Sequence, residues 1–123
     1  METKTRSYRD LVVWQKGIEL AKLIYPLSAR FPAEEKFGLT SQIRRACVSV
    51  PSNIAEGQAR HTTGEFVQCI SHAEGSVAEI DTQLVIAVEL EFISRKQARP
   101  CFDLVGDEQR MLNALRRRLT EKG

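Results

Sequence analysis

The sequence predicts an all-α protein, an antiparallel up-down four-helix bundle that forms a single domain over residues 1–123. Apolar residues recur at steps of three and four along four long segments, and no segment alternates with a period of two. Four prolines and seven glycines in 123 residues favour a few long elements over many short ones. A chain of this length buries enough surface to fold without disulfides or metals.

Helix 1 is predicted over Leu11–Ala29, with Asp10 as its N-cap. Pro26 lacks a backbone N–H, and we expect it to kink the last turn. Phe31 precedes a proline and therefore resists the helical conformation, which closes the segment. Two adjoining rows of apolar residues are expected to face the core: Trp14, Ile18, Ala21 and Tyr25 on one, and Val13, Leu20, Ile24 and Leu27 on the other.

Helix 2 is predicted to run from Glu34 or Phe37 to Glu56. Pro51 lies inside this segment, but the apolar period continues across it, so we expect a bend and not a break. The apolar row of this helix consists of Leu39, Ile43, Ala46, Val50 and Ile54.

Helices 3 and 4 have clear start signals. Thr62 and Glu65 have the spacing of a capping box before a helix over Thr63–Phe92, and Ser94 is expected to cap a helix over Arg95–Glu121. The apolar rows are Phe66, Ile70, Ala73, Val77, Ile80, Leu84 and Ala87 in helix 3, and Ala98, Cys101, Val105, Leu112, Leu115 and Leu119 in helix 4.

Two glycines receive specific predictions. Gly57 follows helix 2 and is expected to be its C-terminal stop. Gly75 lies in the middle of helix 3, where glycine costs about 1 kcal/mol relative to alanine. We expect this cost to be offset by the close approach of a neighbouring backbone or of a large side chain such as Trp14.

The net charge of +2 conceals a separation of charge along the chain. Residues 1–61 carry a net charge of +4, residues 62–94 carry −6 with no lysine or arginine, and residues 95–123 carry +4. The acidic segment corresponds to helix 3, so its carboxylates must find cations on other helices or on other subunits. A net charge this small does not by itself indicate a polyanionic partner.

The cysteines and the N-terminus indicate a cytoplasmic protein. Cys47, Cys69 and Cys101 lie far apart within apolar sequence, which is typical of buried reduced thiols and not of a disulfide framework. The first ten residues are charged and lack the apolar run of a signal peptide. No stretch approaches the roughly 18 uninterrupted apolar residues of a membrane span, so we expect no membrane partner.

Residues that carry catalysis or bind metals do not form a recognisable arrangement. Cys69 and His72 are three apart and could supply two metal ligands, but a structural zinc site needs four and the chain has only two histidines. Neighbouring acids such as Glu79 and Asp81 point away from each other on a helix. We therefore predict no catalytic residue, no cofactor and no metal site, and hence a protein that is not an enzyme.

Several polar residues of helices 2 and 3 are interpreted as a structural network. Because helix 3 has no base of its own, we expect Arg44 or Arg45 to pair with Glu79 across the interface of these helices. A buried ion pair would set their register more than it would add stability. Lining a binding site is the alternative role. The network comprises Gln42, Arg44, Arg45, Asn53, Glu56, Ser76, Glu79 and Gln83.

The basic residues of the two outer segments are the candidates for nucleic-acid binding. Clustered lysine and arginine side chains contact phosphates and make such binding sensitive to salt. The alternative is that these charges only keep exposed helix faces hydrated. The candidates are Arg6, Arg9, Lys16, Arg60, Arg99, Arg110, Arg116, Arg117 and Arg118.

Four segments carry a resemblance to a known family: Tyr8–Lys16, Phe37–Ala46, Val48–Gly57 and Gly75–Ile80. Together they resemble the small bacterial four-helix bundle proteins encoded within 23S rRNA intervening sequences. Related to these are the accessory variability proteins of diversity-generating retroelements. The likeness extends from Tyr8 to about Ile93.

This resemblance implies an up-down bundle that assembles into a homo-oligomeric ring of five subunits and has no known enzymatic activity. For the retroelement relatives it also implies binding of RNA or DNA and of a reverse transcriptase. Two hypotheses remain open at this point. One is a self-assembling module that binds nucleic acid through its basic residues, and the other is a structural or protein-binding adaptor with no nucleic-acid ligand.

Overall fold

The computed structural model describes residues 7–122, and this part of the chain contains four α-helices and no strand. The helices are α1 (Val12–Ser28), α2 (Leu39–Ala59), α3 (Thr63–Glu89) and α4 (Arg95–Lys122). Each helix packs against the next in sequence and α4 also packs against α1, which closes a bundle. The predicted fold class is confirmed. None of the described helices is both long enough and apolar enough to cross a membrane.

The starts of α3 and α4 are those predicted from the capping residues. Thr62 Oγ1 accepts a hydrogen bond from the backbone N–H of Glu65 at 3.1 Å. At α4, Ser94 Oγ accepts from the N–H of Gln97 at 3.0 Å, while Gln97 Oε1 accepts from the N–H of Ser94 at 2.8 Å. Such reciprocal bonds satisfy N–H groups that have no partner inside the helix.

The predicted starts of α1 and α2 are displaced. Tyr8–Asp10 forms one turn of 3-10 helix, and Leu11 precedes α1 in extended conformation without a side-chain capping bond. The prediction that Asp10 is the N-cap is therefore wrong. α2 begins later than expected, at Leu39, whose N–H donates to Glu35 Oε1 at 3.0 Å. Local hydrogen bonds thus hold short turns ahead of both helices.

Neither of the two glycines has the role predicted for it. Gly57 does not end α2, which continues to Ala59. It is buried against α3, and a Cβ atom there would lie 2.8 Å from Phe66 Cδ1 and 2.9 Å from Cys69 Cβ. A Cβ at Gly75 would meet nothing within 4 Å. The close approach expected at Gly75 therefore occurs at Gly57, where it brings α2 and α3 together.

Only one of the two apolar rows predicted on α1 lies in the core. The row that contains Leu20 and Ile24 is buried, and both side chains have no exposed surface. In the other row, Trp14 and Ile18 are half-buried and Tyr25 is 43% exposed. The centre of the buried face therefore lies to one side of the two predicted rows, and it includes Gly17.

The core also contains a carboxyl group, that of Glu108, for which no role was predicted. Its side chain has no exposed surface, and neither carboxyl oxygen has a hydrogen-bond partner among the described residues. Burial raises the pKa of Glu108 to about 8, against an opposing effect of the Lys16 charge and with a small further rise from Asp107. Glu108 is therefore protonated in the folded protein at neutral pH.

The space for this carboxyl group comes from Gly17 on α1, beside Pro51 of α2. A Cβ atom at Gly17 would lie 3.2 Å from Glu108 Oε2 and 3.4 Å from Pro51 Cδ. Glycine at position 17 thus leaves room for the carboxyl oxygen. Pro51 has no N–H to donate to the carbonyl of Cys47, so the α2 backbone at this level lacks one hydrogen bond of a regular helix.

The contrast between Gly57 and Gly75 gives a stability test. Gly57→Ala forces Phe66 or Cys69 to move and is expected to destabilise the fold by about 1–3 kcal/mol. Gly75→Ala adds a methyl group in open space and is expected to stabilise the fold by up to about 1 kcal/mol. Urea unfolding of both variants measures the difference. Equal effects of the two substitutions would contradict the close approach at Gly57.

Glu108 predicts a specific dependence of stability on pH. Because its pKa is raised to about 8 in the folded state, the folded chain keeps a proton that the unfolded chain releases above its ordinary pKa. The free energy of unfolding should therefore decrease as pH rises from about 5 to 8, by at most about 1.4 kcal/mol per pH unit. Glu108→Gln should remove this decrease in urea unfolding measured across that range.

The control for this test is Glu121→Gln, which changes an exposed carboxyl group on the same helix. It should keep the pH dependence of the wild-type protein. A Glu108→Gln variant with the same decrease as the wild type would show that the titration of another group is responsible.

Candidate functional site

Polar side chains of α2 and α3 line two consecutive grooves along the outer junction of these helices. The first, here called the Glu79 groove, is lined by Gln42, Arg45, Ala46, Ser49, Ser76, Glu79 and Gln83. The second, the His72 groove, is lined by Asn53, Glu56, Arg60, Glu65, Gln68, Cys69 and His72. Within each helix these residues recur mainly at steps of three and four, so they form one polar stripe beside the apolar core.

One hydrogen bond joins the two helices between the grooves, and two more within α2 support it. The hydroxyl groups of Ser49 and Ser76 are 2.8 Å apart and hydrogen-bonded to each other. Asn53 Nδ2 donates to the carbonyl and to the hydroxyl oxygen of Ser49, both at 2.9 Å. These bonds satisfy side chains that the packing of α2 on α3 removes from water.

The Glu79 groove contains polar groups without partners. Arg45 and Glu79 both line it, but their side chains form no ion pair or hydrogen bond with any residue that the structure describes. Gln83 is 8% exposed, and its Oε1 atom is buried and accepts no hydrogen bond within the described chain. A buried amide oxygen without a donor is costly, so Gln83 gains a hydrogen bond if its amide group turns into this groove and meets a donor on a second molecule.

The predicted ion pair between Arg44 or Arg45 and Glu79 is wrong for the chain by itself. The Arg44 guanidinium donates instead to Ser28 Oγ at 2.8 Å and to the carbonyl of Tyr25 at 3.1 Å. It also lies over the Tyr25 ring, 4.8 Å from the ring centroid. Arg44 therefore connects α2 to α1, because its position on the helix faces α1 and not α3. The other seven members of the predicted network line the two grooves.

The His72 groove is largely neutralised by contacts inside the chain. Glu56 of α2 forms an ion pair with Arg60, the residue that follows the end of this helix. Cys69 and His72 lie in this groove, but no set of three or more ligating side chains comes together in residues 7–122. The groove therefore offers polar contacts and not a metal-binding cluster.

All three cysteines are free thiols. Cys47 and Cys101 are buried in the core, and burial raises the pKa of each thiol to about 11. Both thiols are therefore protonated at neutral pH and are poor nucleophiles. Cys69 is only half-buried, in the His72 groove.

Four of the predicted nucleic-acid-binding residues form ion pairs within the chain. Lys16 Nζ lies 3.1 Å from an Asp107 oxygen, and Arg110 is 2.6 Å from the other oxygen of the same carboxylate. Arg116 is 2.9 Å from Glu74, and this ion pair joins α4 to α3. Arg60 pairs with Glu56 of the last turn of α2. These cations carry less free charge for phosphates than the sequence suggests.

The remaining candidates are distributed over the molecule. Arg117 Nε donates to the side chain of Asn113 at 3.2 Å. Arg9, Arg99 and Arg118 are exposed, and their side chains have no ion-pair or hydrogen-bond partner in the described range. Arg6 lies outside the described residues. Of the eight candidates in the described residues, five therefore have side-chain partners within the chain and three, Arg9, Arg99 and Arg118, carry unpaired charge.

Comparison with known proteins identifies relatives of this chain. A solved structure of similar fold is the crystal structure of a protein with unknown function from the S23 ribosomal protein family of Bacteroides thetaiotaomicron VPI-5482. The two superpose with a TM-score of 0.77 at 24% sequence identity, over 84% of this chain and 96% of the other. At this identity the likeness establishes the fold alone. No curated protein matches the sequence.

The sequence comparison is more specific. The family model described as "23S rRNA-intervening sequence protein" matches residues 9–114, which is most of the chain. This match includes the four segments that carry the resemblance, except for Tyr8 at the start of the first segment, and it extends into α4. It confirms the resemblance inferred from the motifs. The chain therefore belongs to the 23S rRNA-intervening sequence protein family.

Proposed function

We propose that this chain is a non-enzymatic, self-assembling binding module, and that its copies join through the side of the bundle formed by α2 and α3. The observation that supports this is that five of the eight large apolar side chains left exposed in the described residues lie on or beside α2 and α3. Phe37 lies two residues before α2 and is 90% exposed. Leu90 follows the last residue of α3 and is 58% exposed. Val48 on α2 and Val85 and Ile86 on α3 are each exposed by 40% or more.

These side chains form surface that is unfavourable for a lone bundle in water. Phe37 and Val48 line one shallow, mainly apolar groove together with Tyr25. Ile86 and Leu90 lie three and seven residues after Gln83, so they continue the stripe of the Glu79 groove along α3. Contiguous exposed apolar patches mark interaction sites on soluble proteins. Burial of this side between copies would remove the patch from water.

The distribution of charge supports the same side. The outward-facing positions of α3 include Ser71, Gly75, Ala78 and Thr82, which are small, uncharged and exposed. Charged residues are concentrated instead on α4, which carries twelve of them, against three on α2 and five on α3. A surface with few charges loses little hydration energy on burial.

The proposed assembly is a ring of five in the cytoplasm, as the family resemblance and the free thiols suggest. A ring requires a contact between two different surface patches, because a contact between identical patches closes after two subunits. The apolar surface at Phe37 and the stripe at Ile86 and Leu90 would then supply parts of such an interface.

Binding of RNA or DNA is a second candidate function, and one observation favours it. Arg95 and Lys96 are exposed in the first turn of α4, and their side chains have no partner among the residues described. The positive end of the α4 dipole adds to their charge. In a ring, this pair would be repeated in every subunit and would present a multivalent surface to phosphates.

Self-assembly is tested by replacing one exposed apolar residue. Phe37→Ser should lower the average solution mass, measured by light scattering after size exclusion, because it removes an anchor of the interface. The fold should persist, since the side chain is 90% exposed. Val12→Ser is the matched control. Val12 is also an exposed apolar residue, 52% exposed, but it lies at the start of α1. A wild-type protein that is monomeric at all concentrations would contradict the proposal.

Nucleic-acid binding is tested by titrating duplex RNA at several salt concentrations. The double variant Arg95→Ala/Lys96→Ala should bind more weakly, and the slope of log affinity against log salt should decrease by about two. Lys16→Ala should leave the slope unchanged, since Lys16 is already paired with Asp107. If the wild-type protein does not bind at low salt, the adaptor hypothesis is favoured.

A further inference from the structure

The Glu79 groove has a particular pattern of unused polar groups, which indicates what it binds. Glu79 supplies a carboxylate and Arg45 a guanidinium, both exposed and both without a side-chain partner among residues 7–122. Between them and the core lies Gln83, with its buried and unpartnered Oε1 acceptor. The complement of this pattern is a cation with several N–H donors placed beside an anion.

The chain carries such a complement on α4. Arg99 and Asp103 are both exposed, and neither side chain forms an ion pair or hydrogen bond in the described part of the chain. They are four residues apart, so they lie next to each other on one face of the helix. The buried residues Cys101 and Val105 occupy the opposite face, so this pair faces away from the core.

The order of Arg99 and Asp103 along α4 disfavours an ion pair between them, so both side chains can contact another molecule. Acid-before-base is the more favourable order for an ion pair between residues four apart, and here the base precedes the acid. The planar guanidinium of an arginine presents five N–H donors, enough to contact a carboxylate and an amide oxygen at the same time.

We propose that the Arg99–Asp103 face of one copy docks on the Glu79 groove of the next copy. Arg99 donates to the Glu79 carboxylate and, once the Gln83 amide turns into the groove, to Gln83 Oε1, and Asp103 accepts from Arg45. The contact joins two different surfaces of the same chain, so it generates a ring or a filament and not an isolated dimer. This contact rests on the proposed self-assembly and specifies the two surfaces that meet in it.

The unpaired carboxylate of Glu79 is then explained by the assembly. Glu74 of α3 is paired with Arg116, whereas the Glu79 side chain has no partner among the residues that the structure describes. In the proposed contact the cation comes from α4 of the neighbouring copy. The buried Gln83 oxygen gains a donor, which removes the cost of leaving it without one.

A charge-reversal exchange tests the contact. Glu79→Arg and Arg99→Glu should each weaken the assembly by about tenfold or more in dissociation constant, measured by light scattering over a dilution series. The double variant Glu79→Arg/Arg99→Glu should restore assembly because the two charges are exchanged across every interface. Circular dichroism checks that each variant is folded, which is expected because both side chains are exposed.

The control is Arg118→Glu, the same reversal at another exposed arginine of α4 that has no partner in the described chain. It should leave the assembly unchanged. Single reversals without effect, or a double variant no better than the single ones, would overturn this contact while self-assembly stands. A monomeric wild-type protein would overturn both.

Discussion

The close packing of α2 against α3 determines where the two polar grooves of the bundle lie. Gly57 allows this approach, because any side chain there would collide with Phe66 or Cys69. The hydrogen bond between Ser49 and Ser76 then fixes the two helices at mid-length. Both grooves are consequences of this junction: the polar side chains beside it have room at the surface but cannot enter the apolar core.

The core contains a group whose burial is energetically unfavourable, the carboxyl group of Glu108. Glu108 is enclosed without a hydrogen-bond partner among residues 7–122, and a group in that position is stable only in its neutral form. Gly17 provides the space for its carboxyl group. A leucine in place of Glu108 would complete the apolar row of α4, so stability alone does not account for the carboxyl group.

Features determined by neighbouring residues could be predicted from the sequence. The apolar periods gave the fold class, and the caps at Thr62 and Ser94 were identified because their partners are three residues away. Pairings between helices could not be predicted. Whether Arg44 faces α1 or α3 depends on the rotation of α2, which a helical period defines only to within about one residue. The gap between Val105 and Leu112 in the apolar row of α4 was the available signal for Glu108, since a residue midway in that row must also face the core.

In the proposed assembly, the α2–α3 side of each bundle is covered by another copy in solution. Hydroxyl-radical footprinting of the wild-type protein across a dilution series measures this directly at Phe37, with Val12 as an internal reference. Phe37 is 90% exposed in the single chain, so the account predicts that it is protected at high concentration and becomes reactive on dilution, while Val12 changes little. Equal reactivity of Phe37 at every concentration would contradict the account.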